Sequence, residues 1–409
     1  MRRTPPLSST AARIRPPVFA DLQARIDRLA ARGEQLVPLQ IGDTWLAPPA
    51  AASKLLGALD ADDAAIYRYG PTAGLPALRE AVAHAVKRHG LDVDPVDEVL
   101  VGNGGTHALF CAARAVLDAG DEVLMASPYW PLAPGIFTAC GAVPVEVPLT
   151  QRLYADASLD AGALFAAAIG PRTKAIYLIS PNNPDGKVLP RHQLERIAAI
   201  AREHDLWVFS DEVYAETVFD GEHVSIAALP DMRDRTIVLH SMSKSHALAG
   251  CRVGFAIAPG AVVASGRRVS THSAFNVSIV MQRAALAALS DDTFPKTAKA
   301  TYRDARDRAV QALAGAPVNA FAADGATYLF VDFAPAFEAM GAERAGARPL
   351  FALLERAVDR GVLLAPGDAF GSGYETCARL CTTAVPIERV VIGIERLLDA
   401  LDAMRTGKD

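Results

Sequence analysis

Residues 236–255 read TIVLHSMSKSHALAGCRVGF. The fold of the chain can be inferred from this stretch together with the segments on either side of it. Two strand-like runs, Thr236-Ile-Val-Leu239 and Arg252-Val-Gly-Phe255, flank a glycine-interrupted loop that carries Lys244. Because little helix fits between the runs, we expect one antiparallel neighbour in the sheet. A lysine between hydroxyls, with an arginine eight residues on, suits an amine nucleophile beside an anion site. An ordinary exposed lysine is the competing interpretation.

Short apolar runs precede this stretch, and helical segments separate several of them. From about residue 97 they are Glu98-Val-Leu-Val101, Glu122-Val-Leu-Met125, Thr173–Ile179 and Leu206–Phe209. Such alternation is typical of a mostly parallel sheet covered by helices on both faces. After about residue 290 a long charged helix, Phe294–Leu313, leads into further strands and helices. This change of pattern predicts a second, smaller α+β domain.

Composition excludes several classes of protein. The chain has 409 residues and a formal charge of -5, so it lacks the basic surface expected for binding nucleic acid or an anionic membrane. No apolar run approaches the roughly 18 residues of a membrane-spanning helix, and no secretory signal is recognisable at the N-terminus. The five cysteines are scattered without a Cys-x-x-Cys pattern. We therefore expect a cytoplasmic protein without disulfides or a metal site.

Asp211 follows the run at 206–209, at the carboxyl end of a predicted strand, where open α/β sheets bind ligands. A buried carboxylate there is unfavourable unless it meets a cation. A protonated ring nitrogen of a ligand would be such a partner, and a helix N-cap or an ion pair is the structural alternative. Tyr214, three residues later, could reach the same ligand.

Two other segments also follow predicted strands. Ser180-Pro-Asn-Asn-Pro-Asp-Gly186 is a turn-rich loop whose amides could donate to a phenolic oxygen, although such loops are often only connectors. Gly102-Asn-Gly-Gly-Thr-His107 opens a helix, so its N–H groups can bind an anion. A dinucleotide fingerprint is the rival interpretation, but His107 occupies the third glycine position, which favours a single phosphate. Trp130 offers a flat surface nearby, although tryptophan is more often a core residue.

Together these segments resemble the class I and II aminotransferases, pyridoxal 5'-phosphate (PLP) enzymes of fold type I. The similarity runs from about residue 38 to residue 385. Its motifs are the block Tyr69–Arg79, the glycine turn at 104–106, Trp130, Asn-Pro-x-Gly at 183–186, Asp-x-x-Tyr at 211–214, Ser-x-Ser-Lys at 241–244, Arg252 and Arg379.

The resemblance implies an α/β fold with a mostly parallel seven-stranded sheet in a large domain and a smaller α+β domain. Residues 1–45 would form an arm and a helix, over Val18–Gly33, that packs on the small domain or on a partner subunit. Residues 46–288 would form the PLP-binding domain and residues 289–409 the small domain. The family also implies a homodimer with shared active sites, in which Tyr69 reaches the phosphate of the neighbouring subunit.

The resemblance also implies the roles of individual residues toward the cofactor. Lys244 would hold PLP as a Schiff base and carry a proton at the substrate Cα. Asp211 would pair with the pyridine nitrogen, Asn183 and Tyr214 would contact the phenolic oxygen, and Trp130 would stack on the ring. The residues expected around the phosphate are Gly104, Gly105, Thr106, Ser241, Ser243 and Arg252.

Substrate binding is implied for a second group of residues. Arg379 would clamp the α-carboxylate in a bidentate fork, assisted by Asn183 and the Gly42 backbone. The loop Ile41-Gly-Asp-Thr-Trp45 departs from the Gly-Glu-Pro of many relatives, so Trp45 is also expected near the substrate. Asp43 in this loop would favour a cationic side chain, although it aligns with a routine family glutamate.

The expected activity is transfer of the amino group of an L-α-amino acid to a 2-oxo acid by a ping-pong mechanism. A PLP-dependent lyase (a β-eliminase, a decarboxylase or an aminocyclopropane-carboxylate-synthase-like enzyme) is the main alternative, because a fold does not fix a reaction. A PLP-sensing regulator would need a DNA-binding domain. A dehydrogenase binding a nicotinamide dinucleotide would leave Lys244 and Asp211 unexplained.

Overall fold

The strand-like runs predicted between residues 98 and 255 form strands of one large sheet. The computed structural model describes residues 5–16, 20–60 and 62–407. Its strands are β1 Val37–Pro38, β2 Val99–Asn103, β3 Glu122–Ser127, β4 Val143–Pro148, β5 Thr173–Ile179, β6 Trp207–Asp211, β7 Thr236–Ser241, β8 Val253–Ile257, β9 Asn319–Ala320, β10 Tyr328–Asp332, β11 Val362–Leu363, β12 Ala365–Pro366 and β13 Cys377–Cys381.

Helices occupy most of the intervening segments. They are α1 Ser9–Arg13, α2 Ala20–Ala31, α3 Ala50–Gly57, α4 Pro76–Val86, α5 Gly104–Val116, α6 Ala133–Ala139, α7 Thr150–Ala155, α8 Ala161–Ala168, α9 Arg191–Glu203, α10 Met242–Ser245, α11 Gly260–Ser273, α12 Ile279–Leu289, α13 Phe294–Leu313, α14 Ala334–Met340, α15 Ala342–Ala345, α16 Pro349–Asp359 and α17 Ile387–Thr406. Short 3-10 helices lie at Ala64–Tyr67, Lys87–His89, Ile226–Ala228, Arg233–Arg235, Ala249–Cys251 and Gly367–Phe370.

The large sheet has seven strands in the order β2-β8-β7-β6-β5-β3-β4. β8 runs antiparallel to both of its neighbours, and the other pairs are parallel. The prediction of a mostly parallel seven-stranded sheet with one antiparallel member is therefore confirmed. The carboxyl ends of β5, β6 and β7 meet at one edge, where their loops carry the segments singled out in the sequence.

Both faces of this sheet are buried, as expected for a doubly covered sheet. Along β5, Tyr177 and Ile179 pack into one apolar cluster, with α5 and α6. Ile176 and Leu178 point the other way and pack into a cluster with α8 and α9. The continuous apolar run of this strand, rather than an alternating one, follows from burial on both sides.

One strand of the large sheet was not anticipated from the sequence. β4 lies at the edge of the large sheet and pairs only with β3. Its sequence, VPVEVP, contains Pro144 and Pro148, which cannot donate a ladder hydrogen bond and weaken the strand pattern. An edge position tolerates proline because one side of the strand needs no donors.

The C-terminal part of the chain builds a second core. β12-β13-β10-β9 form an antiparallel sheet, and α13, which has the predicted bounds Phe294–Leu313, packs with α17. Two N-terminal elements join this core, because β1 pairs with β11 and Leu29 of α2 is buried in the same apolar cluster. Arg25 of α2 bonds Asp359 of α16 at 2.8 Å. The domain limits at residues 45 and 288 stay predictions.

The N-terminal segment differs in part from the expected arm. Within it, Ser9–Arg13 is helical and contacts α6. The predicted helix Val18–Gly33 is observed over Ala20–Ala31, and Val18 lies outside the described residues. Across the described ranges, none of the helices is both long enough and apolar enough to cross a membrane.

Gly254 in β8 allows the first turn of α5 to approach the sheet. A Cβ built on this residue would lie 2.3 Å from the amide nitrogen of Gly105 and 2.6 Å from the carbonyl carbon of Gly104. Both atoms belong to the backbone, which cannot rotate away as a side chain could. Close packing of strand and helix at this point therefore requires glycine.

We predict that Gly254→Ala lowers the free energy of unfolding by about 1–3 kcal/mol, the usual effect of forcing a methyl group into a packed site. Gly250→Ala is the matched control, because a Cβ there meets no atom within 4 Å. Urea denaturation of both variants measures the difference. Equal stability of the two variants would contradict the role assigned to Gly254.

Candidate functional site

A cleft of about 370 Å³ opens at the carboxyl edge of the large sheet. The structure brings together in its lining most of the residues predicted from the sequence. These are Gly42, Gly105, Thr106, Trp130, Asn183, Asp211, Tyr214, Ser241, Ser243, Lys244, Arg252 and Arg379. They come from α5, β6, β7, α10 and β13, from the loops that follow β1, β3, β5 and β6, and from the residue before β8, so both parts of the chain contribute.

Three predicted residues lie outside this lining. Gly104 adjoins it, because a Cβ on that residue would lie 2.3 Å from Nη2 of Arg252. Tyr69 is 85% exposed, and its ring packs against Phe275 with 4.8 Å between centroids. Trp45 is 44% exposed and does not line the cleft of its own chain.

Lys244 enters the cleft from α10, directly after β7. The hydroxyl of Ser241 caps this turn by accepting from the N–H of Ser243 at 3.1 Å. Nζ of Lys244 donates to the carbonyl oxygen of Gly42, in the loop before α3. Gly42 is confined by Tyr328, whose hydroxyl would lie 2.0 Å from a Cβ at that position. The amine is thus held within the cleft rather than on the open surface.

Asp211 is the last residue of β6, and it is only 7% exposed. Its carboxylate accepts from the hydroxyl of Tyr177 at 3.0 Å and from the N–H of Val213 at 3.3 Å. Burial raises the pKa of the Asp211 carboxyl to about 6, although the hydrogen bond from Tyr177 and the charge of Lys244 oppose the rise. Within the described part of the chain, no lysine, arginine or histidine forms an ion pair with it. The site therefore contains a buried acceptor suited to a cationic donor.

Arg379 presents the complementary situation, because it is a buried cation without a carboxylate partner in the described residues. Its Nη1 donates to Oδ1 of Asn183 at 2.9 Å and its Nη2 to the carbonyl oxygen of Gln40 at 2.6 Å. Nε has no hydrogen-bond partner among the described residues. The guanidinium lies 4.4 Å from the ring centroid of Tyr328 and 5.0 Å from that of Phe370. Such a group is arranged to receive an anion.

Tyr214 and Tyr328 form a second polar pair in the cleft, with 2.7 Å between their hydroxyl oxygens. Burial raises the pKa of Tyr214 well above its usual range, and the neighbouring Tyr328 adds to the rise. Sequence reasoning found Tyr214 and missed Tyr328. Tyr328 begins a predicted strand, and no local motif distinguishes it from a core aromatic residue.

A buried carboxylate fixes the loop that carries Asn183. Asp185 accepts from the hydroxyl of Thr150 at 2.5 Å and from Nδ2 of Asn182 at 2.8 Å. The same Nδ2 atom also donates to the carbonyl oxygen of Pro128 at 2.9 Å. Of the two adjacent asparagines, Asn182 therefore serves the scaffold, which leaves Asn183 to face the cleft.

The N-terminus of α5 supplies a candidate anion site. Asn103 makes no side-chain cap, so the first N–H groups of this 13-residue helix have no partner from the cap residue. The hydroxyls of Ser241 and Ser243, 2.9 Å apart, lie in the same cleft, as does Arg252. Arg252 adopts the left-handed backbone conformation, with φ of 54°, which costs a residue with a Cβ about 1–2 kcal/mol. Strain of this kind is characteristic of functional positions.

His107, at the position where a dinucleotide fingerprint would have glycine, has a local structural role. Its Nδ1 accepts from the N–H of Asn103 at 3.1 Å, and burial lowers its pKa. The ring thus completes the first turn of α5. This contact, at the start of α5, agrees with a site for one phosphate rather than for a dinucleotide.

Comparison with known proteins identifies what the chain resembles. The profile of the family described as aminotransferase class I and II matches residues 35–397. An arginine–pyruvate transaminase of Pseudomonas aeruginosa is 34% identical over 388 residues, which are 93% of this chain and 92% of that protein. The aspartate/prephenate aminotransferase of Thermus thermophilus is 33% identical over 90% of this chain and 92% of its own length. The structure of the Thermus thermophilus aspartate aminotransferase with maleate superposes with a TM-score of 0.85 and 31% identity, over 97% of this chain and all of that one.

The pKa of Asp211 predicts a pH dependence of stability in the ligand-free protein. Because the folded-state pKa of about 6 lies above the ordinary value of 3.8, the contribution of this group to stability is full below pH 4 and is lost as the pH rises through 6. The difference of about two pKa units corresponds to about 3 kcal/mol. Asp211→Asn cannot ionise, so its unfolding free energy should rise relative to the native protein between pH 4 and pH 7. Denaturant titrations at several pH values measure this, and a constant difference would refute the assignment.

Proposed function

The chain belongs to the class I and II aminotransferase family, is therefore a transaminase of the PLP fold type I, and we propose that it transfers the amino group of an L-α-amino acid to a 2-oxo acid in its cleft with PLP as the cofactor. One observation carries this proposal. The cleft holds a buried carboxylate, Asp211, and a buried guanidinium, Arg379, that do not pair with each other, together with the amine of Lys244. A zwitterionic substrate and a cofactor with a protonated ring supply the missing partners.

The residues of the cleft fit PLP in four places. The unpartnered helix N-terminus, the Ser241 and Ser243 hydroxyls and Arg252 suit its phosphate. The buried acceptor Asp211 suits its pyridine nitrogen. The face of Trp130 suits its ring, and Asn183 and Tyr214 suit its phenolic oxygen. When bound, PLP supplies an aldehyde that condenses with amines and a ring that accepts the electron pair of the substrate Cα–H bond.

Lys244 is proposed as the nucleophilic amine and the proton carrier. Its Nζ contacts the Gly42 carbonyl in the same loop whose Gln40 carbonyl contacts Arg379. A substrate whose carboxylate binds Arg379 is thus brought to the region of the amine. Once free, this amine would act as the general base at the substrate Cα and pass the proton to the former aldehyde carbon of the cofactor. In the second half of the transfer it would move a proton in the opposite direction, to the Cα of the new amino acid.

Asp211 is proposed to hold a proton on the pyridine nitrogen. Its own carboxyl has a pKa of about 6 without a cation in direct contact, and a cationic donor bonded to it would lower that value. The hydrogen bonds from Tyr177 and Val213 fix the carboxylate, so no rearrangement is needed when the cofactor enters. Preorganisation of this kind is a principal source of electrostatic stabilisation in enzymes.

Two wider features belong to the same proposal. We propose a homodimer, because exposed Tyr69 lies outside the cleft of its own chain while the family places it at the phosphate of a neighbouring subunit. We also propose that the protein acts in the cytoplasm, in keeping with its five free cysteines.

The relatives differ in the substrates that their names state, arginine with pyruvate in one and aspartate or prephenate in another, so the amino donor depends on side chains particular to this cleft.

Lys244→Ala should abolish transamination and the shift in absorption that PLP undergoes when it condenses with the protein, because no other amine among the described lining residues can replace the lysine. Lys187→Ala is the control, since that lysine pairs with Asp324 at 3.0 Å outside the cleft lining. Absorption spectra before and after addition of a panel of L-amino acids measure the effect. An unchanged spectrum in Lys244→Ala would refute the role of this residue. Accumulation of pyruvate and ammonia, or of CO2, without the pyridoxamine form would indicate a lyase.

Arg379→Lys should reduce kcat/KM for every amino acid about 10- to 100-fold. Lysine cannot form the bidentate contact with a carboxylate, and hydrogen bonds to charged groups contribute about 1.5–3 kcal/mol. PLP absorption should be retained, which separates loss of substrate binding from loss of the cofactor. Arg268→Lys, at an exposed position on α11, provides the control. An effect on cofactor retention alone would contradict this assignment.

A further inference from the structure

Tyr328 is a buried polar residue of the cleft to which the proposed function assigns no role. It is the first residue of β10, in the C-terminal core, and its side chain lines the cleft. Tyr214, its neighbour in space, belongs to the loop after β6 of the large sheet. Each of the two side chains is only 2% exposed within a single chain. Their contact therefore does not depend on residues that a partner subunit would add.

Three contacts fix the phenol of Tyr328. Its hydroxyl oxygen lies 2.7 Å from that of Tyr214, and the two rings meet edge to face with 5.7 Å between centroids. The guanidinium of Arg379 lies over its ring at 4.4 Å. The ring also packs against Gly42, where a Cβ would come within 2.9 Å of Cζ. A ring held by these contacts presents its hydroxyl to Tyr214.

The number of available protons determines the direction of the hydrogen bond between the two tyrosines. Either hydroxyl could donate in the ligand-free protein, and in the described residues this is the only hydrogen bond that either of them makes. A tyrosine hydroxyl carries one proton. If Tyr214 donates its proton to the phenolic oxygen of PLP, then Tyr328 must be the donor to Tyr214. The bonds then run in one direction, from Tyr328 through Tyr214 to the cofactor.

We infer that Tyr328 is a positioning residue for the reaction, which donates to Tyr214 and so directs the proton of Tyr214 toward the phenolic oxygen of the cofactor. Hydrogen bonds in series polarise one another, so a hydroxyl that accepts one bond donates a stronger one. A stronger donor stabilises the negative charge on the phenolic oxygen. This inference rests on the proposed function, because it assumes that Tyr214 contacts that oxygen.

The effect of this chain of hydrogen bonds can be measured on the cofactor itself. The Schiff base between Lys244 and PLP gains and loses a proton with a change in its absorption spectrum. When its nitrogen is unprotonated, the phenolic oxygen carries its negative charge alone, so a donor to this oxygen favours the unprotonated form and lowers the pKa. A weaker donor should therefore raise the pKa of the Schiff base.

Tyr328→Phe removes the hydroxyl and keeps the ring against Arg379 and Gly42. Loss of the Tyr214 donor itself corresponds to a rise in the Schiff-base pKa of about 1–2. Because a bond in series alters its neighbour by roughly 10–30%, we expect Tyr328→Phe to raise this pKa by about 0.3. Absorption spectra of the PLP-loaded enzyme across a range of pH measure both values. KM for an amino acid should change little, because the ring that contacts Arg379 is retained.

Two further variants separate this effect from a general loss of packing. In a Tyr214→Phe background, Tyr328→Phe should leave the pKa where Tyr214→Phe alone puts it, because the path to the cofactor is already broken. Tyr302→Phe is the matched control. Tyr302 is equally buried, and its hydroxyl bonds that of Thr44 at 2.7 Å outside the cleft lining, so this variant should not alter the Schiff-base pKa.

The sign of the change distinguishes the two possible directions of the hydrogen bond. If Tyr214 donates to Tyr328 instead, removal of the Tyr328 hydroxyl frees the proton of Tyr214 for the cofactor, and the pKa falls. A lowered or unchanged pKa, or an equal rise in the Tyr214→Phe background, would overturn this inference and leave the transaminase standing.

Other outcomes would contradict the function on which the inference depends. If Tyr214→Phe alone leaves the pKa unchanged, the contact proposed for Tyr214 is wrong, and the role of Tyr328 fails with it. A native protein that forms no Schiff base with PLP would overturn the proposed function and this inference together.

Discussion

The cleft depends on the burial of two opposite charges that are kept apart. Asp211 and Arg379 are each only 7% exposed, and neither forms an ion pair with a residue in the described ranges. Burial of an unpaired charge is strongly unfavourable, so neutral partners must compensate for the lost water. Tyr177 and a backbone amide do this for the carboxylate, and Asn183 and the Gln40 carbonyl do it for the guanidinium. The stability of the fold around the cleft is thus reduced in the ligand-free state, and binding of groups with complementary charge restores it.

Much of this arrangement could be predicted from the sequence because it is encoded locally. Asp211, Lys244 and Asn183 each follow a strand whose apolar run is visible in the sequence, and the carboxyl ends of parallel strands meet at one edge. The order of the motifs along the chain then resembles that of one enzyme family. Arg379 was reached only through that resemblance, since its own surroundings in β13 read as an ordinary buried strand.

What sequence reasoning missed depends on contacts between distant segments. Tyr328 contacts Tyr214, Arg379 and the Gly42 loop, and none of these is near it in the chain. Asp185 reads as a turn residue, yet it is buried and holds the Asn183 loop to Thr150. The edge strand β4 was concealed by its prolines. In each case the local sequence also fits an ordinary structural residue, and only the tertiary contacts show which role the residue has.

The placement of Arg379 has a consequence for how the two parts of the chain cooperate. Arg379 comes from the antiparallel sheet of the C-terminal core, whereas Lys244 and Asp211 come from the large sheet. The loop at residues 40–43 connects them, because it accepts from Arg379 through Gln40 and from Lys244 through Gly42. That loop follows directly on β1, which pairs with β11 of the C-terminal core. An N-terminal segment packed on one core therefore sets the distance between the guanidinium of Arg379 and the amine of Lys244. Under the proposed function, a substitution that loosens β1 would lower activity although it touches no substrate.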